Sequence, residues 1–246
     1  MRRVVIIWTA VIWVLASSAL VQAGPYKAQE PKAVLGEAQV LIIGPENFIR
    51  IDGLDQNIDD ILLAAQSPMA AILGIFAEPR AWKLFQDGLD ESGQTGLHCH
   101  AIISTPAPLA DTTVPESEFE EIKKDLTKNM YSAMEKERSL ERALAGVTDH
   151  QAERAKGWIE SFSIVNEGPS HLAYRFESVL EIKLKGIQAP RISRTTTVSS
   201  TILYEGKILN LQLMADPQGP EPRRLEAIAG KWRDELISES KALGQL

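Results

Sequence analysis

The stretch HLAYRFESVLEIKLK, residues 171–185, alternates between apolar and charged side chains. One face of an extended chain would carry the apolar set, which is Leu172, Tyr174, Phe176, Leu180, Ile182 and Leu184. The other face would carry the charged set, which is Arg175, Glu177, Glu181, Lys183 and Lys185. A period of two with one polar face is typical of an antiparallel sheet half open to water. The stretch therefore predicts one strand of such a sheet.

The segments on both sides of this stretch extend the sheet. A Thr/Ser-rich, β-branched segment runs from Ile192 to Tyr204, and the two-residue turn Glu205-Gly206 joins it to Lys207–Met214. Short turns of this kind connect neighbouring antiparallel strands, so the three segments form a predicted meander. A further strand is expected at Trp158–Ile164.

Two later segments show helical spacing instead. The run at 116–137 places one apolar stripe along a helix, and Ser117 and Glu120 match a capping box. A second stripe follows Pro220 and Pro222 and consists of Leu225, Ile228, Ala229, Trp232, Leu236 and Ile237. Such stripes are expected to pack against a sheet face.

The first third of the chain contributes shorter elements. We expect a hairpin of Gln39–Ile43 and Phe48–Asp52, a short helix after Asp55, and buried strands at 71–76 and 96–104 around a loop at 87–95. Strands in runs with few helical crossovers indicate the α+β class. The predicted architecture is a single antiparallel β-sheet covered by helices, an α/β/α sandwich, in one domain spanning residues 38–246.

The first 23 residues have the three-part pattern of a secretory signal peptide. Arg2 and Arg3 precede an apolar run from Val4 to Leu20, and small side chains, Val21 and Ala23, suit the cleavage site. An uncleaved anchor is the competing interpretation. Residues 24–37, polar and with two prolines, are predicted to be a flexible linker. We therefore expect a periplasmic or secreted protein with no stable membrane span after cleavage.

The composition limits the partners of the exported chain. Loss of Arg2 and Arg3 leaves 24 of 26 basic residues against 33 acidic ones, a formal net charge of −9. Such a surface is a poor match for nucleic acid or anionic lipid. The one cysteine, Cys99, cannot form an intrachain disulfide, and its apolar surroundings predict a small buried hydrophobe.

Motifs for the common catalytic and cofactor-binding sites are missing, so no cofactor is expected. The constellation that remains is His98-Cys99-His100, because side chains two apart on a strand share a face. Two imidazoles can hold a transition metal if a third ligand, His171 or His150, joins them. The alternative is that both histidines face solvent or form hydrogen bonds at a sheet end.

A group of acidic and amide side chains lies at residues 52–60 and contains Asp52, Asp55, Asn57, Asp59 and Asp60. Its oxygens could bind calcium, but the spacing does not match the helix-loop-helix calcium pattern. Carboxylates also interact favourably with the start of a helix, which explains the group without a metal.

Several short runs resemble uncharacterised exported bacterial proteins, namely ENFIRIDG (46–53), AILGIFAEP (71–79), GLHCHAIISTPAP (96–108), ESEFEEIKKDL (116–126) and TILYEGKILNLQLM (201–214). Those proteins resemble the PsbP-like α/β/α sandwich superfamily of photosystem II extrinsic proteins and the Ran-binding import factor. The resemblance covers most of the exported chain in its order of elements. It implies a non-catalytic binding or accessory role by analogy, and it carries no functional residue over to this sequence.

The leading hypothesis is an exported, non-enzymatic binding or accessory domain that binds a protein partner or a small ligand through a sheet edge or helix face. The alternative is a metal-binding protein or metal-dependent hydrolase centred on His98 and His100. A third hypothesis is a carrier of an apolar ligand held between sheet and helices.

Overall fold

The computed structural model describes residues 32–54, 70–86, 99–134, 138–139, 152–184, 190–217 and 219–243. Within these ranges the chain forms ten strands, which are β1 (Lys32–Leu35), β2 (Ala38–Leu41), β3 (Ile49–Arg50), β4 (Ala70–Ala77), β5 (Cys99–Pro106), β6 (Arg138–Ser139), β7 (Ala152–Gly168), β8 (His171–Leu184), β9 (Arg191–Tyr204) and β10 (Lys207–Ala215). The α-helices of these ranges are α1 (Pro79–Gln86), α2 (Glu116–Met134) and α3 (Pro222–Leu243).

Eight of these strands form one antiparallel sheet with the order β3-β4-β5-β10-β9-β8-β7-β6. The predicted meander is its centre, with β8, β9 and β10 side by side. Glu205 and Gly206 both have positive φ angles, 49° and 74°, as the tight turn between β9 and β10 requires. The α+β class predicted from the sequence is therefore confirmed.

The prediction of a single sheet is wrong in one respect, because β1 and β2 form a separate two-stranded sheet. Gly36, with φ at 60°, makes the turn between them, so four residues assigned to the linker are a strand. The predicted pairing of 39–43 with 48–52 does not occur. β2 pairs with β1, and β3 pairs with β4.

One face of the main sheet, the α3 face, packs against α3 and the β1–β2 hairpin. The predicted stripe on α3 is confirmed, because Leu225, Ala229, Trp232 and Leu236 are buried. They pack in one cluster with apolar side chains of the sheet, including Ala101, Ile103, Val198, Ile202, Leu209, Leu211 and Leu213. This cluster is the main core of the described chain.

The opposite face, the α1–α2 face, is covered by two helices. Trp82 of α1 packs against Ile75 of β4 and Ile102 of β5. Leu126 and Met130 of α2 lie in a second cluster with side chains of β7 and β8, namely Ile159, Leu172, Tyr174 and Phe176. Helices thus lie on both faces of the sheet, which gives the three layers of an α/β/α arrangement.

β8 is buried more evenly than its sequence suggests. Leu172, Tyr174 and Phe176 are buried as predicted, and the structure places them against α2. Ala173 and Val179 on the α3 face are buried as well. The α3 face of β8 is therefore not open to water at Ala173 and Val179.

The two edges of the main sheet are both unsuited to adding another strand. At the β4 edge, Asp52 accepts the N–H of Ile75 at 2.8 Å and Arg50 donates to the carbonyl oxygen of Leu73 at 3.2 Å. At the other edge, β6 pairs only with residues 156 and 157 of β7. The rest of β7 carries bulges at 159/161 and 164/166, which distort the edge that a new strand would need.

Several predictions fall outside the described residues, namely the signal peptide, the helix after Asp55 and the loop at 87–95. The helix α1 was not predicted from the sequence. Among the described helices, none combines the length and the apolar character that crossing a bilayer demands.

Candidate functional site

A cleft of about 150 Å³ lies beside the first turns of α3. Three separate segments form it: the turn before β3, the residue after β4 and the start of α3. Its lining residues are Glu46, Asn47, Phe48, Glu78, Pro220, Arg224, Ile228 and Lys231. The cleft therefore combines apolar walls with acidic and basic side chains.

The turn at 44–48 is fixed to the core on one side of the cleft. Trp232 of α3 donates its indole N–H to the carbonyl oxygen of Ile43 at 2.8 Å, and its ring meets Phe76 edge to face. Phe76 in turn lies against Gly44, where a Cβ atom would be 2.3 Å from the ring. A side chain at Gly44 would displace the turn, so glycine is required there.

The turn at 44–48 contacts α3 through a side chain. Asn47 has a φ of 66°, a conformation that asparagine tolerates better than most residues, and Phe48 N–H donates to the carbonyl oxygen of Pro45 at 3.0 Å. Glu46 forms an ion pair with Lys231 of α3. Hydrogen bonding to Glu46 raises the pKa of Lys231, so this lysine stays protonated at neutral pH.

Two charges in the cleft are not paired within the described chain. Glu78 is partly buried and Arg224 is exposed. Neither side chain forms an ion pair or hydrogen bond with another described residue, nor do the two pair with each other. The cleft therefore holds one carboxylate and one guanidinium that are unpaired within the described residues.

The structure separates the histidines that the sequence grouped as a metal site. His100 of β5 lies in register with Met214, Thr197 and Phe176 of the next three strands. His171 begins β8 five residues from Phe176, which is about 17 Å along the strand and on the opposite face. His171 therefore cannot complete a metal site at His100.

His171 has its own local partners instead. Its Nε2 atom lies 2.9 Å from the side-chain oxygen of Asn166, and burial followed by the nearby charge of Arg233 lowers its pKa. His98 and His150 lie outside the described residues. Within the described ranges, no group of three His, Cys, Asp or Glu side chains is arranged to hold a metal ion.

Cys99 lies on the α3 face and is buried, as the sequence predicted. Burial, followed by the charges of Glu78 and Asp216, raises the pKa of its thiol to about 12. The thiol is therefore protonated at neutral pH and unsuited to act as a nucleophile.

Asp52 is the one member of the predicted acidic group that lies within the described residues, because residues 55–60 fall outside them. Asp52 is fully buried and its carboxylate binds Arg50 and the N–H of Ile75. These contacts give Asp52 a structural role at the edge of β4.

A row of buried polar side chains crosses the α1–α2 face and was not predicted. Its buried members are Tyr174, Thr197, Ser199, Thr201 and Gln212, and the half-buried Asn210 lies among them. Thr201 donates its hydroxyl to Asn210 at 2.9 Å. Thr197 Oγ1 and Gln212 Oε1 have no hydrogen-bond partner within the described residues. Burial raises the pKa of Tyr174, so this phenol remains protonated.

The layered sheet and the cleft beside α3 together define a three-layer α+β protein with a small cleft of mixed charge. No protein-family model matches the chain. No curated protein matches it by sequence. Solved structures similar to it include the Ran-binding protein Mog1p of Saccharomyces cerevisiae, which is 12% identical. The alignment covers 72% of this chain and 71% of the yeast chain, with a TM-score of 0.24.

Proposed function

We propose that this protein is an exported, non-enzymatic binding module, and that the cleft beside α3 receives a side chain of a protein partner. The observation that carries this proposal is the cleft itself. It joins a turn anchored to the core with a long helix, and it holds a carboxylate and a guanidinium with no partner in the described chain.

The size of the cleft favours a protein partner over a free ligand. Sites that enclose a drug-sized molecule are typically about 300–1,000 Å³, and a cavity of about 150 Å³ holds a group the size of benzene. At about 150 Å³ the cleft can accept one side chain. The remaining contact area of a stable complex would come from the surrounding surface.

The other surfaces weighed from the sequence are less suitable. Arg50 and Asp52 occupy the β4 edge, and bulges distort the β7 edge, so strand addition is disfavoured at both. The inert thiol of Cys99 and the separation of His100 from His171 favour a binding role over catalysis.

A peptide-display selection tests the proposal directly. Peptides selected on the wild-type protein should lose binding when Ile228→Trp fills the cleft. Ala227→Trp is the matched control, because Ala227 is exposed on the same helix and does not line the cleft. Binding peptides that tolerate Ile228→Trp as well as Ala227→Trp would refute the cleft as the binding site.

Export is a separate part of the proposal and rests on residues 1–23. Expression of the full chain in a bacterial host should deliver protein outside the cytoplasm with Gly24 at its N-terminus. Cell fractionation and N-terminal sequencing measure this. An intact N-terminus in the membrane fraction would instead indicate an anchor.

A further inference from the structure

We infer that the cleft selects a cationic side chain, a lysine or an arginine, on its partner. This inference rests on the proposed function, since it specifies what enters the same cleft. It follows from the charges that line the cleft, from their exposure and from the apolar walls between them.

Of the charged groups in the cleft, the carboxylate of Glu78 would be stabilised most by a bound partner. It follows the last residue of β4 and is partly buried, and no described side chain donates to its carboxylate. A partly dehydrated carboxylate has lost water contacts that nothing in the described chain replaces. An ammonium or guanidinium group entering the cleft would supply the missing donors.

The basic side chains of the cleft compete for an anion less effectively. Lys231 already binds Glu46, and its Nζ lies 3.8 Å from Glu235 as well. Arg224 is exposed, so water already solvates its guanidinium. An anionic ligand would gain less from these two groups than a cationic ligand would gain from Glu78.

The walls between these charges suit the stem of a long basic side chain. Phe48 and Ile228 are both partly buried and line the cleft. Lysine and arginine bury their methylene groups against apolar surface while the charged end stays near polar groups. The ring of Phe48 can also attract a cation placed over its face.

Charges beyond the lining of the cleft also favour a cationic partner, over a longer range. Two acidic side chains, Glu78 and Asp216, and one basic side chain, Arg224, lie near Cys99 at this end of the sheet. The exported chain as a whole carries a formal net charge of −9 after loss of Arg2 and Arg3. A basic partner would therefore be attracted before contact.

The test uses a pair of probes that differ in charge and hardly in shape, Nα-acetyl-L-arginine amide and Nα-acetyl-L-citrulline amide. NMR titration of the full-length protein follows the backbone signals of Phe48, Ile228 and Lys231. The arginine probe should bind about two- to fivefold more tightly than the citrulline probe. The difference should shrink as salt is added.

Two substitutions of cleft residues should change the preference for the arginine probe in opposite directions. Glu78→Gln should abolish the preference for the arginine probe, whereas Arg224→Gln should increase it by removing a like charge. Glu121→Gln and Arg223→Gln are the matched controls, because both residues are exposed and lie outside the lining of the cleft.

Equal binding of the two probes would overturn the inference. An arginine preference that survives Glu78→Gln, or one that falls with Arg224→Gln, would overturn it as well. Signal changes that avoid the cleft residues would overturn it too. The proposed function fails separately, because it depends on the Ile228→Trp result. Selected peptides that need an open cleft but lack a required basic residue would refute the inference and leave the binding module standing.

Discussion

The two faces of the main sheet are covered in different ways. The α3 face packs against a single 22-residue helix and a hairpin, and its buried apolar side chains form one continuous cluster. The α1–α2 face has separate apolar clusters under its two helices, and a row of buried polar side chains lies on the same face. The cleft borders α3, so the proposed binding site lies on the continuously packed side. Substitutions on each face can break or sharpen this comparison.

The largest expected effect concerns the reactivity of Cys99 on the α3 face. Its pKa rises from 9.0 to about 12, and each unit lowers the thiolate fraction tenfold at pH 8. Alkylation of the native protein should therefore be about a thousandfold slower than that of an unperturbed thiol. Timed labelling with iodoacetamide measures the rate, with Cys99→Ala/Ala227→Cys as the exposed control. Equal rates in both proteins would show that the α3 face opens to solvent.

Trp232→Ala should cause the largest loss of stability. Trp232 is 1% exposed, and truncation leaves a cavity and removes the hydrogen bond to Ile43. A loss of about 3–5 kcal/mol in the free energy of unfolding is expected. Urea denaturation measures it. Tyr131→Ala is the control, because Tyr131 is 52% exposed on α2 and should cost less than about 1 kcal/mol.

Lys123→Met should have an intermediate effect on the other side of the sheet. Lys123 of α2 is buried, donates to the carbonyl oxygen of Gly168 at 2.7 Å and pairs with Glu120 and Glu167. Methionine fills similar space but leaves these acceptors without their donor. Denaturation should show a loss of about 1–3 kcal/mol. Unchanged stability would mean that α2 is held to the β7–β8 turn by apolar contacts alone.

The smallest effect is expected from Thr197→Val. Thr197 Oγ1 is buried without a hydrogen-bond partner among the described residues, so its removal should be neutral or stabilising by up to about 1 kcal/mol. The adjacent Val198 faces the apolar cluster, and Val198→Thr should destabilise by about 1–3 kcal/mol. A clear loss of stability in Thr197→Val would reveal a bound water or ligand at this hydroxyl.

The sequence predicts the second half of the fold well because its patterns are regular. β8, β9, β10 and α3 appear within a few residues of the expected bounds. The strand pairing of the first part was harder to predict, because two turns close together in the sequence could each have formed the hairpin. The turn at Gly36 pairs β1 with β2, while the segment at 44–47 crosses to the sheet edge and is fixed by Trp232. That long-range contact is invisible in local spacing.

The candidate site was not predictable from motifs. Phe48, Glu78 and Arg224 come from segments far apart in the sequence, and only the strand order brings them together. The row of buried polar side chains was not predicted for another reason. β9 carries hydroxyl side chains on both faces, so its sequence does not reveal which face is polar. The histidine site remains a prediction, because strand register separates His171 from His100 while His98 and His150 lie outside the described residues.

The sheet edges, which are unsuited to adding another strand, also affect the protein's tendency to aggregate. An exposed strand edge can recruit a second copy of the chain and begin a fibril. β4 is apolar along most of its length and would be hazardous if its edge were open. Arg50 and Asp52 keep its backbone groups occupied from within the same molecule. This pair therefore acts as a safeguard against aggregation in a chain that has no disulfide to restrain it.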